Sequence, residues 1–186
     1  LVIAKRLDTN AAYRVAGDDI PTAWNYVMYL NQTPAAGDDG TQFNDTAPTA
    51  SVFTLGTGTD INASGVDIIA WCFHSVEGYS KVGNYAGNGN ANGAFIYTGF
   101  KPAYFMFKST SHTDDWFIMD NKRNTYNLVT ATLKANSDVV ESTNSAGDCD
   151  FLSNGVKFRV NDNGNGSGYS YFYMAFAESP FKTSRA

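Results

Sequence analysis

Residues 62–73 read NASGVDIIAWCF, and residues 165–176 read NGSGYSYFYMAF. Four of these positions are identical at a constant offset of 103 residues, and the apolar second halves of the two stretches coincide. The same offset aligns residues 1–5, LVIAK, with residues 104–108, YFMFK, without a gap. Self-similarity at one fixed offset indicates two copies of a structural unit, and every later fold prediction depends on it.

Alternation of apolar and polar residues predicts β-strands. In residues 156–160, Val156, Phe158 and Val160 fall on one face and Lys157 and Arg159 on the other, as in a half-buried strand. Asn-Gly pairs between such segments supply the positive φ angles of tight turns. Strands are predicted at residues 1–5, 24–30, 52–55, 66–73, 82–85, 94–97, 103–108, 116–119, 155–160 and 169–176.

The predicted fold class is all-β. Residues 129–140 are the best candidate for a helix, but their Thr and Val residues leave an extended conformation open. Together with the repeat, the strands predict two tandem antiparallel β-sandwich units of jelly-roll, concanavalin-like type. We expect the first unit at residues 1–82 and the second at residues 83–186.

The segment at residues 84–103 predicts a hairpin that leads into the second copy. The first copy has no corresponding segment, because Leu1 aligns with Tyr104. We therefore expect that the first unit lacks its N-terminal lead-in hairpin and that the chain is the C-terminal part of a longer protein.

Composition narrows the function classes. Hydrophobic residues make up 43% of the chain and charged residues 17%, which predicts folded cores. A net charge of −5 argues against nucleic-acid binding, and no apolar run is long enough for a membrane span. Cys72 and Cys149 are favoured as free thiols, with a disulfide left open. His74 and His112 lie far apart, and neither a metal site nor a cofactor is predicted.

Candidate ligand-binding residues are aromatic and acidic. Flat rings stack on sugars, although the repeat aligns Trp116 with Tyr13, which favours core positions for both. Acidic pairs in loops could hold Ca²⁺, and solvated turn aspartates are the favoured alternative. No catalytic residue is predicted, because no acid pair or nucleophile motif stands out. The candidates are Trp24, Asp38, Asp39, Asp114, Asp115 and Trp116.

Several segments of the sequence resemble a lectin-like module of tailed-bacteriophage virion proteins, which is common in phages of marine bacteria. They are residues 83–89 (GNYAGNG), 99–103 (GFKPA), 148–159 (DCDFLSNGVKFR) and 173–182 (YMAFAESPFK), with residues 44–49 (NDTAPT) and 52–56 (VFTLG) of the first copy. The resemblance covers nearly the whole chain. It implies a β-sandwich that occurs in tandem in tail fibre or head-associated proteins, and it implies no catalytic residue.

The expected function is therefore a non-enzymatic structural role on the virion, with host-surface glycan adhesion on a tail fibre or appendage favoured. The alternative is a capsid or tail decoration protein without host contact. A polysaccharide depolymerase is the third class and the least favoured. The expected partners are other copies of the chain, other virion proteins and host glycans, with no nucleic acid and no membrane insertion.

Overall fold

The computed structural model describes residues 1–143 and 147–180, and its sheets are antiparallel, in line with the predicted all-β class. The chain forms two compact units, Leu1–Phe73 and His74–Ala186. This division lies nine residues before the predicted boundary at residue 82. The reason is strand pairing: Ser80–Ala86 pairs along its length with Ser170–Ala177, so it belongs to the second unit.

The first unit contains one five-stranded sheet. Strands β1 and β2 form its centre, and β5 is an edge strand, in the order β4-β3-β2-β1-β5. A short helix follows β4. The elements are β1 (Val2–Arg6), β2 (Arg14–Ala16), β3 (Tyr26–Tyr29), β4 (Gly37–Asp38), α1 (Gly40–Phe43) and β5 (Ile68–Cys72).

Irregular chain covers the core face of this sheet. Trp24, Phe43 and Ile61 are buried against β1, β2 and β3. Phe53 and Leu55 pack on the same cluster, but residues 52–55 form no strand, and that strand prediction was wrong. Residues 1–73 thus contain one regular sheet with a second layer of loops and α1, whereas a two-sheet sandwich was predicted.

The second unit contains two sheets. A five-stranded sheet has the order β10-β9-β8-β13-β6, and a three-stranded sheet has the order β11-β12-β7. A 3-10 helix spans Asn163–Asn165. The strands are β6 (Ser80–Ala86), β7 (Phe95–Tyr97), β8 (Pro102–Ser109), β9 (Phe117–Asp120), β10 (Leu133–Lys134), β11 (Cys149–Leu152), β12 (Gly155–Phe158) and β13 (Ser170–Ala177).

One aromatic core joins these two sheets into a β-sandwich-like unit. Phe107 on β8 and Phe158 on β12 meet edge to face, with ring centroids 5.2 Å apart. Tyr85 stacks on Tyr171 at 4.9 Å, and its hydroxyl donates to Gly164 O at 2.8 Å. Buried aromatic pairs add specific geometry to the hydrophobic gain, so this cluster fixes how the two sheets face each other.

The central strands of the two units pair in corresponding registers. In the first unit, Val2 pairs with both Ala16 and Cys72. In the second unit, Phe105 pairs with both Met119 and Ala175. Each residue of the second set lies 103 positions after its counterpart in the first set.

The segment 129–140 is extended and contains no helix. Val129 and Thr132 form isolated bridges with Cys149 and Ser142, and β10 lies between residues 132 and 135. Tertiary pairing decides the conformation here, because the local sequence is compatible with both states.

Candidate functional site

A polar cavity of about 180 Å³ opens in the second unit beside the loop that follows β9. Five successive loop positions carry neutral or basic polar side chains: Asn121, Lys122, Arg123, Asn124 and Thr125. Tyr126 and Asn127 complete the loop. The lining residues are Lys101, Asn121, Asn124, Thr125, Tyr126, Asn127, Val129 and Phe151.

Arg123 and Asp120 hold the start of this loop. One oxygen of Asp120 accepts the backbone N–H groups of Lys122 and Arg123 at 2.8 and 2.9 Å, and the other accepts Arg123 Nε at 2.6 Å. Arg123 also donates to Ile118 O at 3.0 Å and to Glu141 at 3.2 Å. Burial alone raises the pKa of Asp120, but these hydrogen bonds outweigh it and lower the pKa below its ordinary value.

Two asparagine side chains hold the rest of the loop. Asn124 Oδ1 accepts the backbone N–H groups of Thr130 and Ala131 at 2.9 and 2.6 Å. Asn127 accepts from Phe151 N at 2.9 Å and donates to Phe151 O at 3.1 Å. These bonds replace a regular strand ladder, so the loop is ordered although it is not part of a sheet.

A charged network forms the wall at Lys101. Lys101 Nζ lies 2.7 Å from one oxygen of Glu178, and Asn121 Nδ2 donates to the other at 2.7 Å. The backbone N–H of Glu178 donates to Lys101 O at 2.9 Å, which joins the two residues a second time. Asn121 Oδ1 is buried and has no hydrogen-bond partner among the described residues.

Tyr126 is the exposed aromatic of the site. Its side chain is 85% exposed although the loop around it is held by side-chain hydrogen bonds. An exposed ring beside amide groups is a chemistry that suits sugars, because the ring stacks on apolar C–H faces while amides bond hydroxyls.

A second cavity of about 320 Å³ lies elsewhere in the same unit. Its walls come from the turn at residues 75–77, from β6 and from the end of β7. Tyr97, 64% exposed, is its aromatic residue. The lining residues are Ser75, Val76, Glu77, Ser80, Lys81, Tyr97, Thr98 and Gly99. No asparagine lines it, and its polar groups are hydroxyls together with the charged side chains of Glu77 and Lys81.

Both predicted tryptophans are buried, which corrects their inclusion among ligand-binding candidates. Trp24 packs edge to face on Phe43 in the first unit, and its Nε1 donates to Asp18 at 2.7 Å. Trp116 is fully buried in the second unit, edge to face with Phe172. A buried ring presents no face to a sugar.

The predicted aspartates of the first unit lie around the start of α1. Asp39 accepts Thr41 Oγ1 at 2.5 Å and Gln42 Nε2 at 2.9 Å, and it therefore holds the turn before the helix. Asp38 is exposed on β4, opposite Tyr26. The two do not line either cavity described above.

Asp114 and Asp115 precede β9 in the second unit. Asp115 bonds Lys134 Nζ at 2.5 Å and Asn136 Nδ2 at 2.7 Å. Burial raises its pKa, yet these two partners outweigh burial and lower it. The carbonyl of Asp114 accepts Lys108 Nζ at 2.6 Å, and burial raises the pKa of its carboxyl group. In residues 1–143 and 147–180, no group of three His, Cys, Asp or Glu side chains could hold a metal ion.

The six candidates are thus spread over both units, and none of them lines either cavity described above. The available sequence signal for the cavity loop was the polar run that directly follows a predicted strand, NKRNTYN at residues 121–127. Loops between strands often carry binding residues, because they lie at the surface. Cys72 is exposed and Cys149 buried, and both are free thiols, the state that the sequence favoured.

Comparison with known proteins supplies a family. The family described as "Domain of unknown function (DUF7483)" matches residues 1–180. No curated protein and no solved structure matches the chain. The described residues contain no helix with the length and hydropathy of a membrane span.

Proposed function

We propose that this chain, which belongs to the DUF7483 family of domains of unknown function, is a non-enzymatic bacteriophage virion protein that binds host-surface glycans. The glycan site is the Tyr126 cavity of the second unit. The observation that carries this proposal is an exposed tyrosine on a hydrogen-bonded loop that lines a polar cavity. The virion assignment itself depends on the sequence motifs that resemble tailed-phage modules.

Three features of the cavity support a glycan in particular. Its lining is mostly neutral and polar, and the hydroxyl groups of Thr125 and Tyr126 can both donate to and accept from sugar hydroxyls. Lys101 and Glu178 neutralise each other at 2.7 Å, so the wall carries no net charge that would demand an ionic ligand. The loop is held in place before binding, which lowers the entropic cost of association.

The proposal includes two tandem units that arose as copies of one sheet. Its support is the pairing register: Ile3 with Trp71 in the first unit corresponds to Met106 with Met174 in the second. Tandem copies suit an appendage built from repeated modules. On a particle, many copies would also add their affinities, so a weak individual site is sufficient for adhesion.

A Tyr126→Ala variant tests the site. We expect binding to host cells, or to their purified surface polysaccharide, to weaken about tenfold, which corresponds to about 1.4 kcal/mol for loss of one stacking ring. The matched control is Tyr97→Ala, an exposed tyrosine of the same unit that lines the other cavity. Equal losses in both variants, or no binding by the parent chain, would contradict the Tyr126 site.

The decoration role predicts a different set of results. A capsid or tail decoration protein would be found on the particle by immunogold labelling and would show no signal with host polysaccharide. A depolymerase would release oligosaccharides from that polymer, which requires two carboxyl groups across a cleft. Neither described cavity is lined by two carboxylates.

A further inference from the structure

Strand β5 leaves one backbone edge of the first unit's sheet open. Leu1 and Phe73 exchange both backbone hydrogen bonds, at 3.0 and 2.9 Å, and Leu7 N donates to Asp67 O at 3.0 Å. Because hydrogen-bonding positions alternate along an antiparallel strand, the backbone groups of Ile69 and Trp71 face β1. Those of Ile68, Ala70 and Cys72 therefore face away from the sheet.

The corresponding edge in the second unit is covered by a strand. Under the proposed repeat, β5 corresponds to β13, and β13 pairs with β8 on one side and with β6 on the other. The β6 pairing runs from Ser170 with Ala86 to Phe176 with Ser80. The same sheet position thus accepts an antiparallel strand in one unit, whereas no strand of residues 1–143 or 147–180 occupies it in the other.

The side chains of β5 do not protect this edge. Exposed edge strands usually carry a charge, a proline or a bulge that prevents pairing with another chain. The sequence of β5, IIAWC, has neither a charged residue nor a proline, and its register with β1 is continuous. Ile69 and Trp71 are 36% and 39% exposed, so the strand also offers apolar surface to a partner.

The strand is complementary to itself. Two copies of β5 can pair antiparallel about Ala70. The three residues of each strand whose backbone groups face away from its own sheet then form hydrogen-bonded pairs, Ala70 with Ala70 and Ile68 with Cys72. The side chains of Ile69 and Trp71 then lie opposite each other across the two strands, in the closer, non-hydrogen-bonded type of pair. Because β5 has no charged residue, this pairing places no like charges opposite each other. The residue at its centre, Ala70, is small.

The geometry points to a symmetric dimer in which β5 of a second copy of this chain completes the sheet, with five strands from each copy. This assembly is independent of the glycan site, which lies in the second unit. It joins two first units by backbone hydrogen bonds and by the apolar pair Ile69–Trp71. Each dimer would carry two of the proposed glycan sites, one on each copy of the chain.

Solution mass and strand protection test this dimer. We expect light scattering of the 186-residue chain to give twice the 20.2 kDa mass, and hydrogen exchange to show protected amides at residues 68, 70 and 72. Ile69→Lys should halve the mass, and Val140→Lys should not, because Val140 is exposed in the other unit. Circular dichroism verifies that both variants are folded.

A cross-link tests the register. In the proposed pairing, Ile68→Cys lies opposite the native Cys72 of the second copy, so mild oxidation should yield a disulfide-linked dimer. The parent chain should not cross-link, because its two Cys72 residues would lie four positions apart, about 13 Å. A monomer at all soluble concentrations, a dimer that survives Ile69→Lys, or the absence of a cross-link in the Ile68→Cys variant would overturn the proposal.

Discussion

Replacement of Asn165 by alanine should destabilise the second unit more than any other asparagine substitution in its turns. Asn165 is fully buried. Its Nδ2 lies 2.8, 2.9 and 2.7 Å from Asn88 Oδ1, Asn90 O and Val160 O, and these three acceptors share its two hydrogens. Its Oδ1 accepts from the backbone N–H groups of Asn88 and Ala94, both at 3.1 Å. One side chain thus joins the turn between β6 and β7 to the 3-10 helix.

The magnitude follows from the groups that the substitution leaves unpaired. Two bonds accepted by Oδ1 and two full bonds donated by Nδ2, at about 1 kcal/mol each, give an upper figure of about 4 kcal/mol. Water can reach part of the turn and rehydrate some groups, which lowers the expected loss to about 3 kcal/mol. A loss of this size is a large fraction of a typical domain's stability and lowers Tm by on the order of 10 °C.

Urea unfolding followed by circular dichroism measures this loss, and hydrogen exchange locates it in the second unit. The matched control is Asn90→Ala, an exposed side chain of the same turn that makes one bond, to Asn92 N at 2.8 Å. It should lose less than about 1 kcal/mol. Asn165→Asp should cost at least as much as Asn165→Ala, because a carboxylate would face the three oxygens that now accept from Nδ2.

The reasoning is refuted if Asn165→Ala and Asn90→Ala have the same free energy of unfolding. It is also refuted if Asn165→Asp is as stable as the parent chain at neutral pH. Either result would mean that the turn holds its position without the amide.

Two further predictions concern buried charge and backbone strain. Burial lowers the pKa of Lys108 from 10.5 to about 8. The unfolded chain therefore binds more protons between about pH 8 and 10.5, and the free energy of unfolding should rise over that range. Lys108→Met should remove this rise in urea titrations. Gly65→Ala and Gly168→Ala should each cost about 1 kcal/mol, because φ is +73° and +76° while the space around each Cα is open.

Both predictions can fail clearly. If the Lys108→Met variant keeps the full pH slope, another group titrates in that range and Lys108 is not the cause. If Gly168→Ala is neutral, the turn before β13 relaxes out of its positive-φ conformation. If Gly65→Ala is neutral while Gly168→Ala is costly, the two turns are not equivalent, which argues against the proposed repeat.

The strands were largely predictable because their signals are local. Alternation in residues 156–160 identified β12, and turn residues on both sides identified β5 and β13. Residues 52–55 carried the same kind of signal and formed no strand. The physical difference is a hydrogen-bonding partner: a strand forms only where another strand lies beside it, and a local pattern does not report that.

The exposure of Tyr126 was not predictable from residue types alone. Trp24 and Tyr126 are both large aromatics near strand ends, yet Trp24 is buried and Tyr126 is 85% exposed. The exposure of each ring depends on other chain segments. Phe43 packs on Trp24, whereas the bond that Asn124 accepts from Thr130 and the bond that Asn127 donates to Phe151 hold the loop of Tyr126 at the surface.

The sequence by itself determined that this chain is all-β and antiparallel, and it contains the offset of 103 residues at which the central strands of both units pair alike. Periodicity and turn chemistry carry that information because they act between neighbouring residues. Only the tertiary structure decided which aromatics are buried, that β6 belongs to the second unit, and that no strand of residues 1–143 or 147–180 pairs with the outer edge of β5. Those outcomes depend on contacts between segments far apart in the chain, which no local pattern encodes.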